Sequence, residues 1–151
     1  MNYLPVIVLG SGGHARVLID ALLLNSVKLL GTTDVVPKNM SLLGVSYLGD
    51  DDVVERYSPS EVCLVNGVGS ISQPYLREKL FKKFKNLGYK FINVIHPSAV
   101  IAADASLGEG AQVMAGAVIQ SGSVIGDNVI VNTNASVDHN CRIGQHVHLA
   151  P

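Results

Sequence analysis

Few residues in this chain can move a proton near neutral pH. Histidine, with an unperturbed pKa near 6.5, is the side chain best suited to act as a general base there, and the sequence holds five: His14, His96, His139, His146 and His148. His139 is the candidate. It lies in Val137-Asp138-His139-Asn140-Cys141, where it interrupts an apolar periodicity at a loop-forming position. The oxygen of Asn140 can accept the ring N–H and fix the tautomer, although an amide lacks the charge stabilisation of a carboxylate. Asp138, on the other side, could supply that charge. The plainer reading of His139 is an exposed polar corner. His96 and His146 read as structural, and the histidine spacing brings no ligand set together, so no metal is expected.

The second chemistry-bearing stretch is Gly10-Ser11-Gly12-Gly13-His14. Gly10, Gly12 and Ala15 satisfy the spacing G-x-G-x-x-G/A, and Asp34 follows at a distance suited to meeting a ribose hydroxyl. Taken alone, this would point to NAD. Size argues against it, because residues 1–94 suffice for one βαβαβ unit whereas a dinucleotide is gripped across two. One half suits a mononucleotide, its phosphate oxygens approaching N–H groups at a helix N-terminus over the glycines. His14 reads first as a donor to such an anion or to its sugar, with a turn residue beside the helix start as the plainer alternative.

These clusters need elements to hold them. From Ile95 onward one aliphatic residue recurs every six positions, at Ile95, Ile101, Leu107, Val113, Ile119, Ile125, Val131, Val137, Ile143 and Leu149. Four places after each of the first nine comes a mostly small residue: Ala99, Ala105, Ala111, Ala117, Ser123, Val129, Ala135, Cys141 and Val147. A helical stripe needs spacings of three and four, whereas six returns a strand to the same face. A fixed short period marks a solenoid whose repeats bury their apolar sides against one another. Three hexads per triangular coil, with Gly and Asn at the corners, give a parallel β-helix over residues 95–151.

The first 94 residues alternate otherwise. Val6 to Leu9 reads as a buried strand, the glycine turn follows, and Ala15 to Leu24 reads as a helix. Lys28 to Thr33 is a second strand, and a loop with Pro37 and Asn39 leads to a short extended piece over Leu43 to Gly49. Asp50, Asp51 and Asp52 sit where a helix N-terminus favours negative charge. Glu61 to Val65 is a strand closing on Asn66-Gly67-Val68-Gly69-Ser70. Pro74 to Asn86 is an amphipathic helix ended by Gly88, and Phe91 to Ile95 a last strand. Strands alternating with helices imply a parallel sheet, an α/β Rossmann-like domain with ligands at the carboxyl ends of its strands.

Composition narrows the partners. A net charge of −1 with 15% charged residues leaves no basic stripe for nucleic acid or anionic lipid. Hydrophobic content of 48% is high, yet no stretch approaches the roughly 18 uninterrupted apolar residues of a membrane span. No secretory signal is visible at the N-terminus, so the expected location is cytoplasmic. Cys63 and Cys141 read as buried small hydrophobes rather than a disulfide or metal pair.

The hexads Ile125-Gly126-Asp127-Asn128-Val129 and Ile143-Gly144-Gln145-His146-Val147 resemble the hexapeptide-repeat acyltransferases, whose β-helices are left-handed. The whole chain is similar to one subgroup, the bacterial sugar acetyltransferases related to sialic-acid O-acetyltransferase and the UDP-4-amino-sugar N-acetyltransferases of glycan biosynthesis, the NeuD and PglD type. That resemblance rests on Val8-Leu9-Gly10-Ser11-Gly12-Gly13-His14-Ala15-Arg16-Val17, Leu43-Gly44-Val45 to Leu48-Gly49-Asp50, Asn66-Gly67-Val68-Gly69 with Arg77, and Asn132-Thr133 through Ile143-Gly144.

The resemblance implies an N-terminal domain that binds a nucleotide sugar. Ser11, Gly12, Gly13 and His14 then lie near the phosphates and sugar, and Asp34 and the Gly67 to Gly69 loop near the nucleoside. It implies that His139 is the catalytic base, in a family where an acid commonly follows this histidine and Asn140 departs from the pattern. Asn132 matches a position beside the acetyl group, though it serves equally well as a corner asparagine. His148 corresponds to a histidine near the acetyl donor, facing a neighbouring subunit. Acetyl-CoA as co-substrate, a UDP-linked acceptor and a homotrimer follow from the same likeness.

Nine complete hexads from Ile95 to His148 make three coils, whereas relatives continue further, so the chain reads as truncated. The expected activity is acetyl transfer from acetyl-CoA to a UDP-linked 4-amino sugar by direct attack. Sialic-acid type O-acetylation and a non-catalytic nucleotide-sugar-binding fragment are the alternatives.

Overall fold

A computed structural model describes residues 4–37, 40–71 and 74–151. The chain divides into two compact units, Met1–Phe91 and Ile92–Pro151. No helix among the described residues is long and apolar enough to cross a membrane.

In the first unit, β1 (Val6–Leu9) is buried at every position, as a strand covered on both faces must be. The helix α1 (Gly13–Leu24) follows, with Ala15, Leu18, Ile19, Ala21 and Leu22 buried at helical spacing. Next come β2 (Leu29–Thr33), β3 (Ser41–Leu42), β4 (Val45–Gly49), a 3-10 helix over Asp51–Arg56, β5 (Cys63–Asn66) and α2 (Pro74–Asn86). The sheet order is β3-β4-β2-β1-β5, parallel except at the β3 edge. Strand order reverses at β1, which lies between β2 and β5, so a crevice is expected outside their carboxyl ends.

Two local readings are corrected. Leu43 to Gly49 is not one extended piece: Leu43 (φ 51°) and Gly44 (φ 82°) form a two-residue hairpin turn joining antiparallel β3 and β4. Two positive φ values in succession match the twist of a hairpin. The strand expected over Phe91 to Ile95 is split, because Phe91 bridges Leu64 of the first unit whereas Val94–Ile95 (β6) pairs with the second. Asp50 does cap, its carboxylate accepting the Asp52 N–H at 3.2 Å, although the helix it starts is 3-10.

The second unit is a parallel β-helix. Besides β6, its strands are β7 (Val100–Ile101), β8 (Ser106–Leu107), β9 (Gln112–Val113), β10 (Val118–Ile119), β11 (Val124–Ile125), β12 (Ile130–Val131), β13 (Ser136–Val137), β14 (Arg142–Ile143) and β15 (His148–Leu149). They form three sheets: β6, β9, β12 and β15 on a first face, β7, β10 and β13 on a second, and β8, β11 and β14 on a third. Val118 pairs with Val100 below and Ser136 above, so one coil spans three hexads. The aliphatic and small-residue ladders form one interior cluster, including Val113, Ile119, Ile125, Val131 and Val137 with Ala111, Ala117, Val129 and Ala135.

Each corner from Gly110 to His146 uses one left-handed residue: Gly110, Gly116, Gly122, Asn128, Asn134, Asn140 and His146, with φ from 56° to 73°. Glycine and asparagine suit that conformation because it crowds a Cβ against the next carbonyl.

Candidate active site

In the first unit the two glycine turns meet at the carboxyl ends of adjacent strands. Gly10 takes φ 102°, and a Cβ there would lie 3.2 Å from the carbonyl carbon of Gly67. Gly67 is walled in by the Leu9 carbonyl, where a Cβ would come within 2.6 Å, and Gly69 lies against the His14 side chain. Both loops therefore depend on bare backbone for their approach.

Asp34, at the end of β2, ties the first turn down. Its Oδ2 accepts the Ser11 N–H at 2.9 Å and the Ser11 hydroxyl at 2.8 Å. Ser11 is fully buried, so its polar groups organise the turn, while the first-turn N–H groups of α1 lack helical acceptors by geometry. Asp34 is itself fixed through its backbone: its N–H donates to the Gly49 carbonyl and its carbonyl accepts from the Tyr47 hydroxyl, both in β4. Beside it, Thr33 donates to Asp51 at 2.6 Å, and burial raises the Asp51 carboxyl above its usual range.

The Asn66–Val68 turn is held from behind by buried Arg77 of α2. One guanidinium nitrogen donates to the Asn66 and Val68 carbonyls at 2.9 and 2.8 Å, and the Asn66 amide donates back to the Arg77 carbonyl at 2.9 Å. Burial lowers the guanidinium's pKa. The sequence marks Arg77 through the family resemblance but does not reveal this clasp.

In the second unit, His139 stands exposed at the corner between the second and third faces, in the turn from β13 to β14. Its Nδ1 lies 3.0 Å from Asn140 Nδ2. An amide nitrogen can only donate, so with the amide in this orientation Nδ1 is the acceptor. In that orientation Oδ1 lies over Gly122, one coil below, in the space a Cβ would occupy there. Asp138 does not reach the ring either; its Oδ1 accepts the His139 backbone N–H at 2.7 Å and shapes the turn.

Asn132 and His148 are brought together, with Asn132 Nδ2 3.0 Å from His148 Nε2. They belong to the first face and the corner after it, whereas His139 occupies the next corner, across the second face. Within one chain the two groups do not converge. His146 and His96 are held locally, His146 by the Asn128 amide and His96 by Ser98. Among the described residues, no group of three or more histidine, cysteine or acidic side chains is placed to hold a metal.

The PglD N-terminal domain family model matches residues 5–84, more than half of the chain. The chain belongs to the PglD N-terminal domain family. It is an acetyltransferase of the hexapeptide-repeat superfamily, and the α/β domain and left-handed β-helix expected of it are both present. Among solved structures, PerB from Caulobacter crescentus, crystallised with CoA and GDP-perosamine, is 37% identical with a TM-score of 0.85, over 95% of this chain and 67% of that one. The acetyltransferase domain of PglB from Neisseria gonorrhoeae, in complex with acetyl coenzyme A, is 31% identical with a TM-score of 0.86, over 97% and 70%. WeeI from Acinetobacter baumannii shares the fold at 19% identity and TM-score 0.81, over 96% and 68%. A search of curated proteins gave no match.

Proposed function

We propose that this acetyltransferase moves acetyl from acetyl-CoA to the amino group of a nucleotide-linked amino sugar, with His139 as general base. The carrying observation is the 37% identity, over 95% of this chain, to PerB, a protein crystallised with both CoA and GDP-perosamine. A related structure is named a perosamine N-acetyltransferase, which favours nitrogen over oxygen as the acceptor atom. A UDP-linked 4-amino sugar is the first acceptor to assay, and a GDP-linked amino sugar the second.

The first unit holds the nucleotide diphosphate over Gly12, Gly13 and His14, with the turn braced by Ser11 and Asp34 and with Gly67 and Gly69 beside it. The sugar amine attacks the thioester carbonyl carbon, the C–N bond forms, and the C–S bond of the tetrahedral intermediate breaks. The amine proton passes to His139 and from there to the departing thiolate, giving free CoA thiol. With the Asn140 amide turned by half and the ring proton moved from Nε2 to Nδ1, where it is donated to Oδ1, Nε2 is free to accept that proton. No covalent enzyme intermediate forms.

Asn132 and His148 contact the acetyl donor. Because they stand at a different corner from His139, a second copy is needed to set donor and base side by side, and a homotrimer of β-helices supplies one at each boundary. It also excludes water from an imidazole that is exposed in the single chain.

The test is thiol release from acetyl-CoA in the presence of UDP- and GDP-linked amino sugars. His139→Ala should lower kcat by roughly 10²- to 10⁴-fold while leaving nucleotide-sugar binding in place. Full activity in that variant would remove the mechanism; nucleotide-sugar binding by the unaltered chain with no thiol release would leave a binding module.

A further inference from the structure

A turn of the β-helix can satisfy the amide and carbonyl at its two ends by joining them to each other. At four corners they satisfy each other: the N–H of Ala99, Ala105, Ala117 and Ala135 donates to the carbonyl three residues back, at 2.9, 3.0, 3.2 and 2.9 Å. Two of these, before Ala117 and Ala135, carry a left-handed residue, Gly116 or Asn134, at the place Asn140 holds in the His139 turn.

The His139 turn is built differently. The Cys141 N–H points to the hydroxyl of Ser123 at 3.3 Å, and that hydroxyl donates to the Asp138 carbonyl at 2.7 Å. Ser123 lies one coil below Cys141 and is fully buried, the one hydroxyl in a ladder otherwise made of Ala, Val and Cys. A polar group in that interior is tolerated only when hydrogen-bonded, and its oxygen is inserted between the two ends of the turn carrying His139 and Asn140.

We infer that Ser123 is a positioning residue for His139: it spreads the Asp138–Cys141 turn with its hydroxyl and so sets the direction from which the imidazole and the Asn140 amide are presented. This deepens the proposed function and rests on His139 being its base. Ser123→Ala removes the inserted oxygen. Asp138 and Cys141 then close on each other as at Ala135, or are left unsatisfied, and in both cases the peptide units flanking His139 rotate.

The experiment compares Ser123→Ala with the unaltered chain at a temperature well below either melting point. The expected result is a fall in kcat of about 10- to 100-fold, the range that an ångström-scale misplacement produces, with KM for both substrates within roughly twofold. The ¹⁵N shifts of the His139 ring should move, reporting an altered bond to Asn140. A lowered melting temperature with unchanged kcat and unchanged ring shifts would make Ser123 a packing residue and overturn the inference. The His139→Ala result separates the two levels: if that variant stays active the base assignment falls, and if it is inactive while Ser123→Ala is fully active only the positioning role falls.

Discussion

Asn140 Nδ2 stands 3.0 Å from His139 Nδ1, so the ring accepts a proton from the side chain that follows it instead of donating one. A side chain at this position is within reach to select which ring nitrogen carries the proton.

Asn140→Asp replaces a group that donates or accepts with one that, ionised, only accepts. The ring proton is then drawn to Nδ1, Nε2 is freed, and the added negative charge favours the imidazolium. The acid limb of the kcat/KM profile should move to higher pH, and kcat on the alkaline plateau should rise. An unmoved profile would refute the orienting role of position 140.

Gly122→Ala and Gly116→Ala form a matched pair. Both glycines are left-handed, at φ 73° and 69°, and at both a Cβ would fall on the side-chain oxygen of an asparagine one coil above, Asn140 in one case and Asn134 in the other. Each should lose about 1–2 kcal/mol from backbone strain alone, read as a lowered melting temperature. Only Gly122→Ala displaces the partner of His139, so only it should depress kcat beyond its effect on folding.

Asp34→Ala leaves the buried Ser11 N–H and hydroxyl without their shared acceptor. Losing that acceptor should cost about 2–3 kcal/mol, and the loosened turn should raise KM for the nucleotide sugar about tenfold or more while kcat changes little. Steady-state kinetics with saturating acetyl-CoA separates the two parameters.

Asp51→Asn tests the electrostatics beside that turn. Burial raises the Asp51 carboxyl above its unfolded value, with the charge of Asp34 adding to the shift and the Thr33 hydrogen bond opposing it. The folded state therefore holds its proton to higher pH than the unfolded chain, so this group adds stability on acidification and its contribution falls as pH rises from about 3.8 through the folded value. An amide still accepts from Thr33 without the charge. The variant should melt about 1–3 °C higher at neutral pH and lose that advantage on titration toward pH 4. Thermal melts across that range check both signs.

Much of this was legible in the sequence. The period of six, running unbroken from Ile95 to Leu149, specified short strands and an eighteen-residue coil, because only an even period keeps one strand face inward. The glycines of Gly10-Ser11-Gly12-Gly13 and Asn66-Gly67-Val68-Gly69 marked two turns, since few other residues permit such backbone contact. What misled was local. Leu43 carries no turn signature of its own, and Phe91 to Ile95 is apolar throughout, so its division between two sheets depends on partners in each unit.

The sequence by itself determined the interior, because apolar spacing alone selects the stacked-strand geometry that buries it. Only the tertiary structure decided how the polar groups are shared: that Asp34 grips Ser11, that Asp138 shapes the turn while the Asn140 amide faces the ring, that Ser123 threads the His139 corner from one coil below, and that Asn132 and His148 stand apart from His139. Hydrogen bonds depend on angle and on which atom of a side chain faces which neighbour. Those relations exist only once the coils have closed and residues eighteen positions apart lie one above the other.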